Sequence, residues 1–297
     1  MTRPDPICAI CDGTRFSTTQ VVHYEPLTVA GVLANFGDTA RELLTCERCE
    51  YRFKWPSPPP DEIERCYRES AASTWESPDP IERRFDELSL DLAHHQPGGN
   101  VLDVGCAGGE FLLTLPPSFT PYGLEPGAAG QVAQSKGIEV LGSFLDDLGH
   151  EYDQFFDAIV CLDVLEHVVD GRTFMAQVAR LLKPDGVFLA LTGNTDALSW
   201  RLERGAYWYC AMPEHISFYN VASMERLFAT AGLRMVASRT TQHKRYTSTT
   251  YASQTIRGIA YVVAKTLPLP PSVSRVLDRP APYWEAARNH MVVIGRR

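Results

Sequence analysis

The chain has 297 residues, 44% of them hydrophobic and 22% charged, enough for one sizeable globular domain and a smaller one. A net charge of -8 and a pI near 5.5, with no long Lys/Arg run, argue against nucleic acid as the main partner. No apolar leader follows Met1, and the late apolar run from Gly258 to Val263 is too short to span a bilayer. Eight cysteines in a chain of this size read as reduced thiols, so a soluble cytoplasmic protein without a membrane span is expected.

Cys8-Ala9-Ile10-Cys11 and Cys46-Glu47-Arg48-Cys49 are two CxxC pairs with 34 residues between them. Thiolates two residues apart grip one tetrahedral ion, and two such knuckles complete four ligands. Residues 1–57 therefore read as a small ribbon with a structural zinc ion on Cys8, Cys11, Cys46 and Cys49. Redox dithiols and unliganded thiols are the alternatives. The pairs Val21-Val22 and Leu43-Leu44 suit short strands that cannot bury a core unaided, so metal would supply folding energy. His23 reads as a loop residue, because four cysteines fill the shell. Residues 58–80 read as a linker, since prolines at 56 and 58–60 keep the chain extended and Pro60-Asp61-Glu62 suits a helix start. Tyr67 in this stretch either reaches across to a substrate or packs beside the linker. A helix is expected over 80–96, with Phe85, Leu88 and Leu92 on one face and Pro97-Gly98-Gly99 ending it. His94-His95 is then a solvated helix end.

Val101-Leu102-Asp103-Val104 reads as a buried strand, and the small residues Gly105-Cys106-Ala107-Gly108-Gly109 let backbone approach a ligand before a helix at Glu110. The next apolar segment, Pro121-Tyr122-Gly123-Leu124-Glu125, ends in an acid 22 residues after Asp103. That spacing suits a carboxylate on ribose hydroxyls. Strands and helices alternate from Asn100 to Thr192, which implies right-handed crossovers and a parallel sheet. This pairing resembles the class I S-adenosylmethionine (SAM)-dependent methyltransferases. The resemblance continues through Phe156 to His167 and through Leu181 to Leu189, with Ala107 replacing the middle glycine of the family's GxGxG turn. It implies a doubly wound, mostly parallel, seven-stranded α/β sheet (Rossmann-like) over residues 81–297, with SAM as cofactor. Residues 8–70 are similar to the N-terminal module of bacterial methyltransferases from sugar and natural-product pathways.

The resemblance also implies roles. Asp103 and the Gly105 backbone would hold the methionine end of SAM, with Cys106 and Ala107 completing the turn. Glu125 would take both ribose hydroxyls, or else serve as a helix N-cap. Ser143 and Phe144 stand where the adenine is gripped; many relatives have an acid at the Ser143 position, so Asp146 is the substitute. Asp163 would face the sulfonium. Glu166 and His167 follow on the next turn, where His167 either looks toward substrate or bonds backbone.

Residues 193–219 leave the common core and form a first insert, where Trp200, Tyr207, Trp208 and Tyr209 either face a sugar ring or aromatic acceptor or pack the insert down. Glu214-His215 resembles the Glu-His element of sugar methyltransferases, with His215 as general base and a carboxylate to hold its tautomer; a structural role for His215 is the alternative. Met212 stands where those relatives carry a tyrosine. A helix follows over 220–231, capped by Asn220 and stopped by Gly232, then a sixth strand from Leu233. Residues 241–287 form a second insert, helical near 251–266 and proline-broken at 268–282. It reads as a lid, with a homodimer contact or a membrane-surface contact as alternatives. His290 to Ile294 would close the sheet as an antiparallel seventh strand. The reading is an enzyme that methylates the hydroxyl of a sugar or small natural product. N- or C-methylation, an rRNA or tRNA methyltransferase, and SAM binding without transfer are the other possibilities. The sugar C-methyltransferases that share the ribbon carry a further large domain for which this chain has no room, which favours oxygen.

Overall fold

The computed structural model describes residues 5–23, 27–37, 40–74, 85–242, 246–267, 284 and 288–297. The cysteine-bearing segment forms β1 (Phe16–His23), β2 (Thr28–Val29), β3 (Val32–Leu33), β4 (Ala40–Cys46) and β5 (Arg52–Trp55). His23 thus ends a strand rather than lying in a loop. α1 (Pro60–Arg68) starts with a proline where no intrahelical N–H is needed, and Asp61 and Glu62 face the positive end of its dipole. α2 (Phe85–His95) buries Leu88 and Leu92; residues 80–84 of the expected helix lie outside the described residues.

The larger part runs through β6 (Gly99–Val104), β7 (Phe119–Leu124), α3 (Ala129–Ser135), β8 (Glu139–Gly142), β9 (Phe156–Leu162), α4 (Gly171–Leu181) and β10 (Leu182–Gly193). It continues with α5 (Leu198–Glu203), α6 (Trp208–Ala211), β11 (Ser217–Phe218), α7 (Val221–Thr230), β12 (Arg234–Thr241), α8 (Ser248–Thr266) and β13 (His290–Arg296). The expected proline-broken stretch at 268–282 lies outside the described residues. The helix expected at Glu110 is reduced to one 3-10 turn, Leu112–Thr114. Pro116 and Pro117 follow at once; proline has no N–H to give a helix and disfavours helical geometry in the residue before it. The cap at Asn220 matches expectation: its side chain accepts from the Ser223 N–H, an arrangement that contributes about 1 kcal/mol.

Seven strands form one sheet in the order β12-β13-β10-β9-β6-β7-β8. β6 to β10 are mutually parallel, and β13 is antiparallel to both β10 and β12. Both faces of this sheet are covered, so its strands are apolar on both sides. Along β9, Ile159 and Cys161 pack with Leu102, Met175 and Phe228, while Ala158 and Val160 pack with Leu92, Val101 and Leu189 on the other face. The order reverses at β6, which opens a crevice at the carboxyl ends of β6 and β9.

A second sheet, β1-β4-β5-β11, ties the ribbon to the rest of the chain. Its fourth strand comes from the 193–219 insert: Ser217 and Phe218 pair with Phe53 and Arg52. The apolar core is continuous across the junction, from Cys8, Cys46 and Tyr51 to Tyr219 and Phe228.

Candidate functional site

The crevice is a cavity of about 600 Å³. Asp103, Gly105, Cys106, Ala107, Glu125, Ser143, Phe144 and Asp163, eight positions expected from sequence at the cofactor, all line it. The turn after β6 lies tight against its neighbours. Gly105 has φ +75°, and a Cβ there would come within 2.7 Å of the Val164 side chain. Ala107 also takes a left-handed φ of 47°, where glycine would be unstrained. Its N–H donates to Glu125 Oε2 at 3.0 Å, which helps to hold the alanine there.

Asp103 is 2% exposed and its Oδ1 has no hydrogen-bond partner. Burial, with the neighbouring Glu125 and Glu110 charges, pushes its carboxyl well above the usual range. A buried acid in this state gains most from a cationic ligand, which is what the ammonium of SAM would supply. Glu125 accepts from Gly127 N–H at 2.8 Å as well as from Ala107, so its carboxylate bridges two turns. Each oxygen keeps a second lone pair for a ribose hydroxyl. Glu125 does not cap α3, whose N-cap is Ala128 with no side-chain cap bond, so the N-cap alternative falls away. At the positions expected for the adenine, Arg68 of α1 donates to Ser143 Oγ at 2.9 Å and lies 4.9 Å over the Phe144 ring. Asp146, also on the cavity wall, accepts from Gln177 Nε2 at 2.6 Å. Asp163, at φ 53° after β9, places a carboxylate oxygen 3.7 Å from His290 Nε2.

The opposite wall is assembled from distant segments. His215 is 5% exposed, and its Nδ1 donates to the Tyr209 carbonyl at 2.8 Å. That bond leaves Nε2 as the proton-accepting nitrogen. Burial, and then the neighbouring His167 and Lys54, hold its pKa well below 6.5, so the ring is neutral. The Glu214 carboxylate does not hold this tautomer, and Glu214 is not among the cavity-lining residues; the Tyr209 carbonyl takes the role expected of it. His167 stands 4.8 Å from His215 ring to ring, and its Nδ1 lies 2.8 Å from Tyr67 Oη and 3.0 Å from the Glu214 carbonyl. It lines the cavity and bonds backbone at once. Tyr67 joins it from α1, so the linker segment reaches the site.

The ribbon clamps the segment that carries His215. Lys54 N–H donates to the Ile216 carbonyl at 2.9 Å, and the buried Lys54 Nζ donates to the Met212 carbonyl at 2.5 Å. On the other side Ile216 N–H donates to the Glu166 carbonyl at 2.6 Å. Sequence reasoning passed over His290, Thr192 and Arg239. His290 and Arg239 line the cavity, and His290 packs edge-on to Tyr209. None of them sits in a local motif.

Glu166, His167 and His215 bring three donor atoms within 4.8 Å of one another. Glu166 is fully buried, and its oxygens accept from Tyr209 Oη at 2.6 Å and Thr192 Oγ1 at 2.8 Å. The cluster reads as a satisfied buried network. Of the four insert aromatics, Trp200 and Tyr207 pack into the insert's own core, whereas Trp208 and Tyr209 also line the cavity. The flat platform expected for a sugar is thus halved.

The four ribbon cysteines come together as expected. Cys8 and Cys49 sulfurs are 3.4 Å apart, Cys11 and Cys46 sulfurs 3.6 Å, and all four lie within 4.8 Å of one another. Thiolates around a tetrahedral zinc ion stand about 3.8 Å apart, given Zn–S bonds of about 2.3 Å, so the donor set fits that ion. Arg172 of α4 fastens this knuckle to the larger part, donating to the Ile10 carbonyl at 2.7 Å and to Asp12 at 2.8 Å.

Among known proteins, a family described as a methyltransferase domain matches residues 76–238. A ubiquinone biosynthesis O-methyltransferase of Xanthomonas oryzae is 36% identical over 128 residues, covering 40% of this chain and 52% of that protein. The Yersinia enterocolitica protein of the same name is 32% identical over 156 residues, covering 47% of this chain and 64% of its own. The match thus spans about half to two thirds of these relatives. The crystal structure of the YcgJ protein of Bacillus subtilis aligns with a TM-score of 0.48 and 19% identity, over 72% of this chain and 97% of that one. The family match takes in more than half of the chain, both motif-bearing halves of the crevice included, and on that footing the protein belongs to the methyltransferase-domain family as a class I SAM-dependent methyltransferase.

Proposed function

We propose that the protein transfers the methyl group of SAM to a hydroxyl on a small, ring-bearing, largely apolar acceptor, with His215 as general base. The observation that carries this reading is the buried, neutral imidazole of His215, fixed by the Tyr209 carbonyl with Nε2 as its proton acceptor and set in the cavity wall. Bound SAM supplies an electrophilic methyl on a sulfonium. The chain's own work is to hold the partners in line and take a proton. Asp103 would bind the ammonium, Glu125 the ribose, Ser143 and Phe144 the adenine, and Asp163 would face the sulfonium. SAM would give up its methyl by cleavage of the S–CH3 bond, leaving S-adenosylhomocysteine; the chain's part would be to receive the acceptor's hydroxyl proton at His215 Nε2, with His167 and Tyr67 positioning the acceptor beside it.

Oxygen as the acceptor atom is also favoured by the relatives, which are ubiquinone biosynthesis O-methyltransferases by name. A phenolic or quinol-type ring suits Trp208, Tyr209 and Met212 better than a sugar does, given how far Trp200 and Tyr207 are buried. In this reading residues 1–57 form a zinc-stabilised buttress, 58–80 a connector that supplies Tyr67 and Arg68, and 81–297 the transferase. The test is a screen with radiolabelled SAM over catechols, phenols and nucleotide sugars. Transfer to a catechol or phenol is expected; transfer confined to nucleotide sugars would restore the sugar reading and remove this one.

A further inference from the structure

α8 carries its larger apolar side chains on the wrong face for a helix that only packs onto a body. Its inward side buries Gln254, Gly258 and Tyr261, and Gly258 meets the ring of the fully buried Trp284. Its outward side shows Ile256, Ile259, Val263 and Leu267, between 44% and 68% exposed. At about 100° per residue Ile256, Ile259 and Val263 fall within an arc of about 60°, Leu267 follows at the C-cap, and the exposed Ala252 and Ala260 lie in or beside the arc. Ordinary amphipathic helices have the reverse arrangement. α5 packs beside α8 and also exposes Leu198, Leu202 and Arg201.

The charge pattern says what covers this stripe. The chain has 36 acidic residues and a net charge of -8, yet residues 226–277 contain no Asp or Glu and eight Lys or Arg, of which Arg257 and Lys265 stand on α8 and Arg239 is paired with Asp91. A cationic stretch on an anionic protein is complementary to a negatively charged surface, and Arg257, exposed on the flank of the stripe, can keep its charge at phosphate while the aliphatic tips enter the boundary. No helix among the described residues is long and apolar enough to cross a membrane. A helix with outward aliphatics and a cation, Arg257, at their flank lies along the interface instead. α8 also begins at the cavity rim: Thr241 and Gln242 line the cavity, and the Tyr251 hydroxyl donates to the Gln242 side-chain oxygen.

We propose that α8 is an interfacial anchor that lays the protein on an anionic phospholipid surface, with the cavity mouth beside the bilayer. This does not depend on the acceptor or on His215, and its test reads no activity. Flotation would be measured with vesicles of phosphatidylglycerol and phosphatidylcholine in equal parts, against phosphatidylcholine alone, for the wild type and an Ile259→Glu/Val263→Glu variant. Both positions are exposed, and unchanged S-adenosylhomocysteine affinity by calorimetry would show the variant intact. The wild type should float with the anionic vesicles at low salt, and at least about tenfold less at high salt, on neutral vesicles or as the double variant. Absence of flotation, or flotation untouched by the substitutions, would overturn the proposal. A dimer that the two substitutions dissolve, without vesicle binding, would assign the stripe to a second copy of the chain.

Discussion

The two walls of the cavity are built in different ways. The wall lined by Asp103, Ala107, Glu125 and Ser143 comes from successive strand ends of one parallel sheet, within 41 residues of sequence. The facing wall gathers Tyr67 from α1, His167 from the turn after β9, Tyr209 and His215 from the insert, and His290 from the last strand. The first wall is a property of the sheet, whereas the second exists only if the ribbon, the insert and the sheet stay docked. The cofactor side should therefore survive perturbations that ruin the acceptor side.

The largest break in that symmetry is expected from the metal. Cys46→Ser should release the proposed zinc ion, a kind of binding worth about 10 kcal/mol or more in small zinc modules, and loosen β5 from the His215 segment. Turnover should fall at least about tenfold while S-adenosylhomocysteine still binds, as read by metal analysis, kinetics and calorimetry on one preparation. A full metal complement in the variant, or lost cofactor binding with turnover spared, would break the comparison. Asp103→Asn probes the other wall. Losing a charge-assisted contact to an ammonium costs about 1.5–3 kcal/mol, so SAM affinity should drop by about 10–100-fold with thermal stability kept or raised, because a strained buried carboxyl is gone. Unchanged affinity would remove Asp103 from the ammonium.

A smaller effect follows from the His215 protonation. Folding keeps this ring neutral while the unfolded chain titrates near 6.5. Its contribution to stability is complete above that pH. It is lost as pH falls through and below 6.5, where only the unfolded chain gains the proton, at up to about 1.4 kcal/mol per unit. Denaturant titrations of wild type and His215→Gln should differ by this slope on the acid side alone; parallel curves would mean that the imidazole is not held neutral.

The same contrast explains what the sequence makes legible. Asp103, the small-residue turn and Glu125 are readable because strand order and chain order coincide there, so a motif is also a place. The two cysteine knuckles are readable because chelation demands a fixed local spacing. The expectation that Glu214 would hold the His215 tautomer came from the resemblance to the Glu-His element of sugar methyltransferases. In the fold, Glu214 contributes its carbonyl to His167, and the partner of His215 is the carbonyl of Tyr209. His290 reads only as the start of a strand, because its approach to Asp163 and Tyr209 is set by the antiparallel register of β13 and by nothing nearby in sequence. The helix expected at Glu110 failed for a local reason, the Pro116-Pro117 pair just beyond it.

The most direct test of the account is single-turnover methyl transfer to a phenolic acceptor at saturating SAM, comparing wild type with His215→Ala. General-base catalysis by a positioned imidazole contributes about 10²- to 10⁴-fold, so the rate should fall by that factor while S-adenosylhomocysteine affinity holds. A variant that turns over near the wild-type rate would show that the acceptor loses its proton elsewhere and that His215 only braces the insert.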